Sequence, residues 1–196
     1  MSTYHHGDLR RAVLDRAVAV IAASGPAALS LRSLAADLGV SHTAPRHHFT
    51  SRTGLLTAVA AEGFRMLAER IEVAYAGGGS FRDAGLAYVQ FAIDRPAHFA
   101  VMFTPDLLDY DDAELRDASD VTFAQLRAGA EGVEPDRRPD LAAAVVAGWA
   151  LVHGIATLAL SGNLDRSGVR ALLGDDDVPT LTRRATAMLF ASEKLP

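Results

Sequence analysis

Apolar residues recur at spacings of three and four along most of the chain, which is the pattern of amphipathic helices. In the first 80 residues the pattern predicts four helices, near 8–24, 30–38, 41–49 and 51–76. Further helices are predicted at 81–94, 95–103, 111–131 and 141–164, and after Pro179. These segments cover most of the chain, so we expect an all-α protein of about nine to ten helices.

The third predicted helix, VSHTAPRHHF at 40–49, differs from the others because its middle is polar on nearly every side. A helix this short and polar is not stable alone. It follows a helix that ends at Gly39, and two helices joined by a glycine turn form the helix-turn-helix pattern. In that geometry the second helix lies in the major groove of DNA, so its polar surface faces bases and phosphates.

The charge distribution agrees with a DNA-binding segment near the N-terminus. The net charge of the chain is −5, but residues 1–60 carry six arginines against three aspartates. Five of the seven histidines also precede Phe49. A weakly basic N-terminal segment in an otherwise acidic chain is expected when only that segment binds a polyanion such as DNA. Chance segregation of charge produces the same pattern.

The segment ALSLRSLAADLGVSHTAPRHHFTSRTGLLTAVAAEGF resembles the TetR family of bacterial transcriptional repressors. The matching positions are Ser30-Leu31-Arg32 at the start of the second helix, Gly39-Val40-Ser41 at the turn, and Arg52. One position departs from the family pattern, because Arg46 stands where an aromatic residue is common.

The resemblance implies a set of DNA contacts. Phosphate contacts position such proteins and base contacts specify the sequence. The expected phosphate contacts are Ser30, Arg32, His47 and Arg52, and the expected base or groove contacts are Ser41, His42, Thr43 and Arg46. We leave open whether Arg46 reads a guanine or holds a phosphate.

The resemblance also implies two domains, a helix-turn-helix DNA-binding domain at 1–52 and a helical ligand-binding and dimerisation domain at 53–196. The stretch GWALVHG at 148–154 and the segment RPAHFAVMF resemble a ligand-domain subclass of these repressors named for its Trp and His-Gly. The expected pocket is apolar, although the same residue types at helical spacing also form ordinary cores. Its candidate lining residues are Met66, Tyr88, Phe91, Phe99, Met102, Phe103, Phe123, Trp149 and His153.

The segment 141–164 contains no formally charged residue and is long enough to span a membrane. Its content of small residues instead favours close packing against another helix. In the family, the last two long helices pair with their copies in a four-helix dimer interface. The expected interface residues are Ala144, Gly148, Ala159, Leu181, Ala185 and Met188.

Several other classes of site are disfavoured. The chain has no cysteine, which excludes disulfides and thiolate zinc sites and fits a cytoplasmic location. The adjacent pair His47-His48 points in diverging directions, so we expect neither a metal site nor a cofactor. We therefore expect a homodimeric repressor, not an enzyme, that binds a palindromic operator and is released by a small, largely apolar effector. Two alternatives stay open, an all-α enzyme that uses His153 and a membrane-anchored regulator.

Overall fold

The computed structural model describes residues 6–133, 140–166 and 168–190, and these residues confirm the all-α expectation. In the described part of the chain there are ten α-helices and three short 3₁₀ helices. The α-helices are α1 (His6–Ser24), α2 (Leu31–Asp37), α3 (Arg52–Ala76), α4 (Phe81–Asp94), α5 (Pro96–Met102), α6 (Ala113–Glu131), α7 (Leu141–Leu160), α8 (Asn163–Arg166), α9 (Arg170–Leu173) and α10 (Val178–Phe190). The 3₁₀ helices are Pro26–Ala28, Ala44–His47 and Pro105–Leu107.

The chain forms two compact units. The first comprises Met1–Phe64 with Arg95–Ser119, and the second comprises Arg65–Asp94 with Asp120–Pro196. In the described part of the first unit, α1 packs against α2, α5 and two of the 3₁₀ helices. Val13, Ala17 and Leu55 are fully buried in this core. The first unit therefore contains the predicted DNA-binding segment and also α5.

The turn after α2 has a defined hydrogen-bond pattern. The amide of Val40 donates to the carbonyl of Ala35, and the amide of Gly39 donates to the carbonyl of Ala36. This pair of bonds is the Schellman motif, which requires a left-handed residue at the glycine position. Gly39 has φ +65°, a value that L-residues adopt at a cost of roughly 1–2 kcal/mol. Gly39 therefore ends α2 as predicted.

The prediction of a third α-helix over 41–49 is wrong. Only Ala44–His47 is helical, and it forms a 3₁₀ turn. Pro45 has no amide hydrogen, and its ring disfavours helical backbone angles at the residue before it. The amides of His48 and Phe49 both donate to the carbonyl of Pro45. The segment is therefore a 3₁₀ turn, which is narrower than an α-helix and rises further per residue.

The second unit is built around α4, α7 and α10, which all pack against one another. Gly85 on α4 permits this close packing, because a Cβ added there would lie 3.0 Å from Cγ1 of Val152. Thr182 and Thr186 on α10 are buried, and each hydroxyl donates to a backbone carbonyl one turn earlier. This three-helix bundle fixes one face of α7 inside the chain.

The predicted helix over 141–164 is interrupted after Leu160. Gly162 has φ +70°, and the chain turns there before α8 begins at Asn163. Among the described residues, α7 is the one helix long and apolar enough to cross a membrane by length and composition. Six of its residues, including Val152, Ile155 and Ala156, are nevertheless buried within the chain itself.

Candidate functional site

The predicted DNA-contacting residues all belong to the first unit, between Ser30 and Arg52 in the chain. Seven of the eight are exposed to solvent, and they come from the start of α2 and from the turn that follows it. The exposed residues are Ser30, Arg32, Ser41, His42, Thr43, Arg46 and His47. The hydroxyls of Ser41 and Thr43 lie 3.1 Å apart, so these two side chains share one local network.

Arg52 occupies a different environment from the other seven. Its guanidinium is partly buried, Nε donates to the carbonyl of Leu29 at 3.1 Å, and Nη2 donates to the carbonyl of Pro26 at 2.7 Å. These bonds join the start of α3 to the 3₁₀ turn Pro26–Ala28 that precedes α2. Arg52 therefore has a structural role, because it joins α3 to the segment that precedes α2. Its predicted phosphate contact stays a prediction.

The exposed turn, residues 41–47, is held in place by buried neighbouring side chains and by contacts with α1. Pro45 and Phe49 are buried, whereas Arg46 and His47 between them are exposed. The guanidinium of Arg10 on α1 lies over the ring of Phe49 at 5.4 Å from its centroid, within the range of a cation–π contact. Arg16 on α1 also donates to Asp37 at the end of α2, at 2.9 Å. The position of the turn therefore depends on α1.

The predicted effector-pocket residues divide between the two units. Phe99, Met102 and Phe103 belong to the first unit. There the ring of Phe103 lies 5.3 Å from that of Phe99 and 5.5 Å from that of Phe64, a residue absent from the prediction. Met66, Tyr88, Phe91, Phe123, Trp149 and His153 belong to the second unit.

In the second unit, three of these residues meet between α4 and α7. The hydroxyl of Tyr88 lies 2.8 Å from Nδ1 of His153, and the indole nitrogen of Trp149 donates to that hydroxyl at 3.4 Å. An indole nitrogen can only donate, so the hydroxyl accepts from it and can direct its own proton to Nδ1. Burial lowers the pKa of His153 and raises the pKa of Tyr88. The group is therefore polar but uncharged at neutral pH.

Exposure separates the other predicted pocket residues of this unit. Phe91 is fully buried, whereas the side chain of Phe123 is 57% exposed. Trp149 is 40% exposed, so removal of its side chain would not leave a closed cavity. The side chains that the structure brings together around one polar centre are Tyr88, Trp149 and His153.

The predicted interface residues lie in three different environments. Ala144 and Gly148 are buried within the chain's own bundle, while Ala159, Leu181 and Ala185 are half-buried. Met188 is 79% exposed. The exposed face of α7 instead carries Ala143, Ala147, Ala150 and Gly154, spaced by four, three and four residues. Gly154 itself is half-buried, but a Cβ added to it would meet nothing within 4 Å.

A partly buried polar network in the first unit contains none of the predicted site residues. Glu62 on α3 forms an ion pair with Arg11 on α1 and accepts a hydrogen bond from His98 on α5. The bond from His98 and the contacts from Arg11 lower the pKa of the Glu62 carboxyl to about 2. The available signal was a single acidic residue within the apolar run VAAEGF, between the buried residues Ala61 and Gly63.

Comparisons with known proteins agree with this architecture. A family model described as "Tetracyclin repressor-like, C-terminal domain" matches residues 81–190, more than half of the chain. A second model, "Bacterial regulatory proteins, tetR family", matches residues 13–59. A search of curated proteins found no match.

Solved structures share the fold over nearly the whole chain. A protein of unknown function from Rhodococcus sp. RHA1 is 30% identical, with 96% of this chain and 97% of that chain covered and a TM-score of 0.77. A tetR-family regulatory protein from Rhodococcus RHA1 is 20% identical, with coverages of 94% and 98% and a TM-score of 0.66. FadR from Bacillus subtilis, solved in complex with stearoyl-CoA, is 13% identical, with coverages of 94% and 99% and a TM-score of 0.65.

The helix-turn-helix head and the helical C-terminal region define a class of DNA-binding transcriptional regulators. Within that class, the chain belongs to the TetR family. Regulators of this family bind DNA, respond to small molecules and act as dimers.

Proposed function

We propose that this chain is a ligand-responsive repressor that binds a palindromic operator as a homodimer in the cytoplasm. The proposed DNA-binding domain is 1–52, and the proposed ligand-binding and dimerisation domain is 53–196. The observation that carries the proposal is the exposed turn with Ser41, His42, Thr43, Arg46 and His47, held on the buried side chains of Pro45 and Phe49. A polar turn on an apolar base is suited to contact with a groove and its phosphates.

The proposed effector is small, largely apolar and uncharged where it meets the protein. The polar centre of Tyr88, Trp149 and His153 supports this, because it offers neutral hydrogen-bonding groups beside exposed aromatic surface. FadR provides an example of this fold with a bound acyl-CoA. Membership of the Trp and His-Gly subclass is part of the same proposal and rests on the GWALVHG stretch.

Release from DNA would follow from linkage. An effector can bind more tightly to a conformation in which the separation of the two DNA-binding domains does not match the operator. Such an effector lowers the affinity of the dimer for its operator, and the operator lowers the affinity for the effector by the same factor. The proposal therefore requires neither a catalytic step nor a bound cofactor.

The proposed dimer interface uses the exposed face of α7. Ala143, Ala147, Ala150 and Gly154 follow the alternating spacing of four and three that lines a helix-packing seam. Small residues let two helices approach closely. Val146 is 60% exposed beside this seam, and Met188 on α10 adds a further exposed apolar side chain. In a dimer these side chains would leave water, which favours association.

Replacement of Arg46 by Ala tests the DNA contact directly. We expect Arg46→Ala to weaken binding to the operator by about 1–3 kcal/mol if the guanidinium reads a base, with relaxed preference at one base pair in each half-site. A phosphate contact would instead weaken all sequences alike and make the salt dependence shallower. Selection from a randomised DNA pool at two salt concentrations distinguishes the two cases. Unchanged preference and unchanged salt dependence would show that Arg46 does not touch DNA.

A further inference from the structure

The Glu62 carboxylate joins three helices of the first unit. Arg11 on α1 reaches Oε1 of Glu62, and Nε2 of His98 on α5 lies 3.1 Å from Oε2. A carboxylate only accepts, so Nε2 of His98 carries the proton in this bond. His98 is buried, and the side chain of Glu62 is 15% exposed. A charge-assisted bond in such surroundings is stronger than one at the surface.

The packing around this network holds α5 close to α3. A Cβ added to Gly63 would lie 2.5 Å from Sδ of Met102 and 3.1 Å from Cβ of His98. The absence of a side chain at Gly63 therefore brings α5 near enough for His98 to reach the neighbouring Glu62. Earlier on α3, the hydroxyl of Thr57 accepts a hydrogen bond from the amide of Asp109, a residue that follows α5 in the chain.

The other end of the network leads to the DNA-contacting turn. Arg11 binds both Glu62 and Asp15, which lies one turn further along α1. Its neighbour Arg10 lies over Phe49 at the end of the DNA-contacting turn. Arg16, further along α1, binds Asp37 at the end of α2. A shift of α1 would therefore move both the turn and the helix that precedes it. Neither Glu62 nor His98 lies among the predicted DNA contacts.

We infer that Glu62 and His98 are positioning residues for DNA recognition, through which α5 sets the orientation of α1 and hence of the turn 41–47. The inference rests on the proposed DNA binding. Base contacts depend on hydrogen-bond geometry, whereas the salt dependence reflects how many positive charges lie near the phosphates. Small changes in orientation therefore alter sequence preference and leave the salt dependence of binding nearly unchanged.

The test compares two DNA duplexes, one selected by the wild-type protein from a randomised pool and one with the same bases shuffled. The ratio of the two affinities is measured for each variant at several salt concentrations, after circular dichroism has established that the variant is folded. We expect Glu62→Ala to lower the ratio about tenfold, since loss of recognition at one base pair corresponds to a factor of this order. The salt slope should not change.

Conservative variants and a matched control complete the design. Glu62→Gln keeps the shape of the side chain and one acceptor oxygen. Its affinity ratio should therefore lie between those of Glu62→Ala and the wild type. His98→Gln should retain more of it than His98→Ala, and this pair carries the test if Glu62→Ala does not fold. Glu69→Ala removes an exposed carboxylate from the same helix and should leave the ratio unchanged.

The outcomes separate the inference from the proposed function. Folded Glu62→Ala and His98→Ala proteins with a wild-type ratio would overturn the inference, because the network would then only stabilise the fold. A lowered ratio accompanied by a shallower salt slope would also overturn it, since Glu62 would then affect phosphate contacts. A wild-type protein that binds both duplexes equally would refute sequence-specific recognition itself, and the inference with it.

Discussion

Ala150→Glu is expected to convert the protein from a dimer to a monomer and to abolish tight operator binding. Ala150 is exposed on α7 in the described structure, so the glutamate remains solvated in an isolated protomer. In a dimer packed through the small-residue seam, the carboxylate would be buried and unpaired near its symmetry-related copy. An uncompensated buried charge costs several kcal/mol, commonly about 3–5. Light scattering coupled to size-exclusion chromatography gives the mass directly.

The control for this variant is Ala124→Glu, the same change at an exposed position on α6. It should remain a dimer and bind DNA as the wild type does. Gly148→Glu should behave differently from both, because Gly148 is buried in the protomer and the charge would disrupt its own bundle. If Ala150→Glu stays dimeric at micromolar concentration, the exposed face of α7 is not the interface.

Phe49→Ala is expected to destabilise the first unit by about 3–5 kcal/mol, the usual cost of removing a buried phenylalanine side chain. Phe49 is 4% exposed, closes the DNA-contacting turn and lies beneath Arg10. Its loss removes both apolar contact and the cation–π partner of α1. Urea denaturation followed by circular dichroism gives the change in the free energy of unfolding, and operator binding should weaken in parallel.

Phe123→Ala provides the matched comparison, since it removes the same side chain from a position that is 57% exposed. Its effect on the free energy of unfolding should be within about 1 kcal/mol, because little apolar area leaves the interior. Equal effects of the two substitutions would contradict the assignment of Phe49 as the anchor of the turn.

The helices and the glycine turn could be predicted because the signals are local. The bounds of α4 agree with the predicted segment 81–94, whose apolar residues recur at helical spacing. Gly39 is similarly informative, since a left-handed residue after a helix is commonly glycine. Pro45 was equally visible in the sequence, and its known effect on helices should have excluded an α-helix over 41–49.

The partner of Arg52 could not be predicted in the same way. Its acceptors are backbone carbonyls of Pro26 and Leu29, about two dozen residues earlier, and every residue type carries such a carbonyl. No pattern of side chains marks which backbone carbonyls a fold places within reach of a guanidinium. The bond between Glu62 and His98 likewise joins two helices whose proximity depends on the bare backbone of Gly63.

Which face of α7 is exposed could not be predicted from the sequence, for a different reason. Every face of α7 carries alanine, glycine or larger apolar side chains, so the hydrophobic pattern of the helix does not indicate which face is buried. The contacts with α4 and α10 decide it, and they cover Ala144 and Gly148. These contacts leave Ala143, Ala147 and Ala150 exposed, one turn or less away from the predicted interface residues Ala144 and Gly148. The interface itself stays a prediction.

The most direct test of the central claim is the salt dependence of binding by the wild-type dimer. Arg32 and Arg46 are both exposed on the proposed DNA-facing surface. If each neutralises one phosphate in each protomer, the dimer neutralises four, and the slope of log affinity against log salt should be about −4. If Arg46 reads a base instead, the slope should be about −2. A slope near zero would contradict DNA binding by this surface.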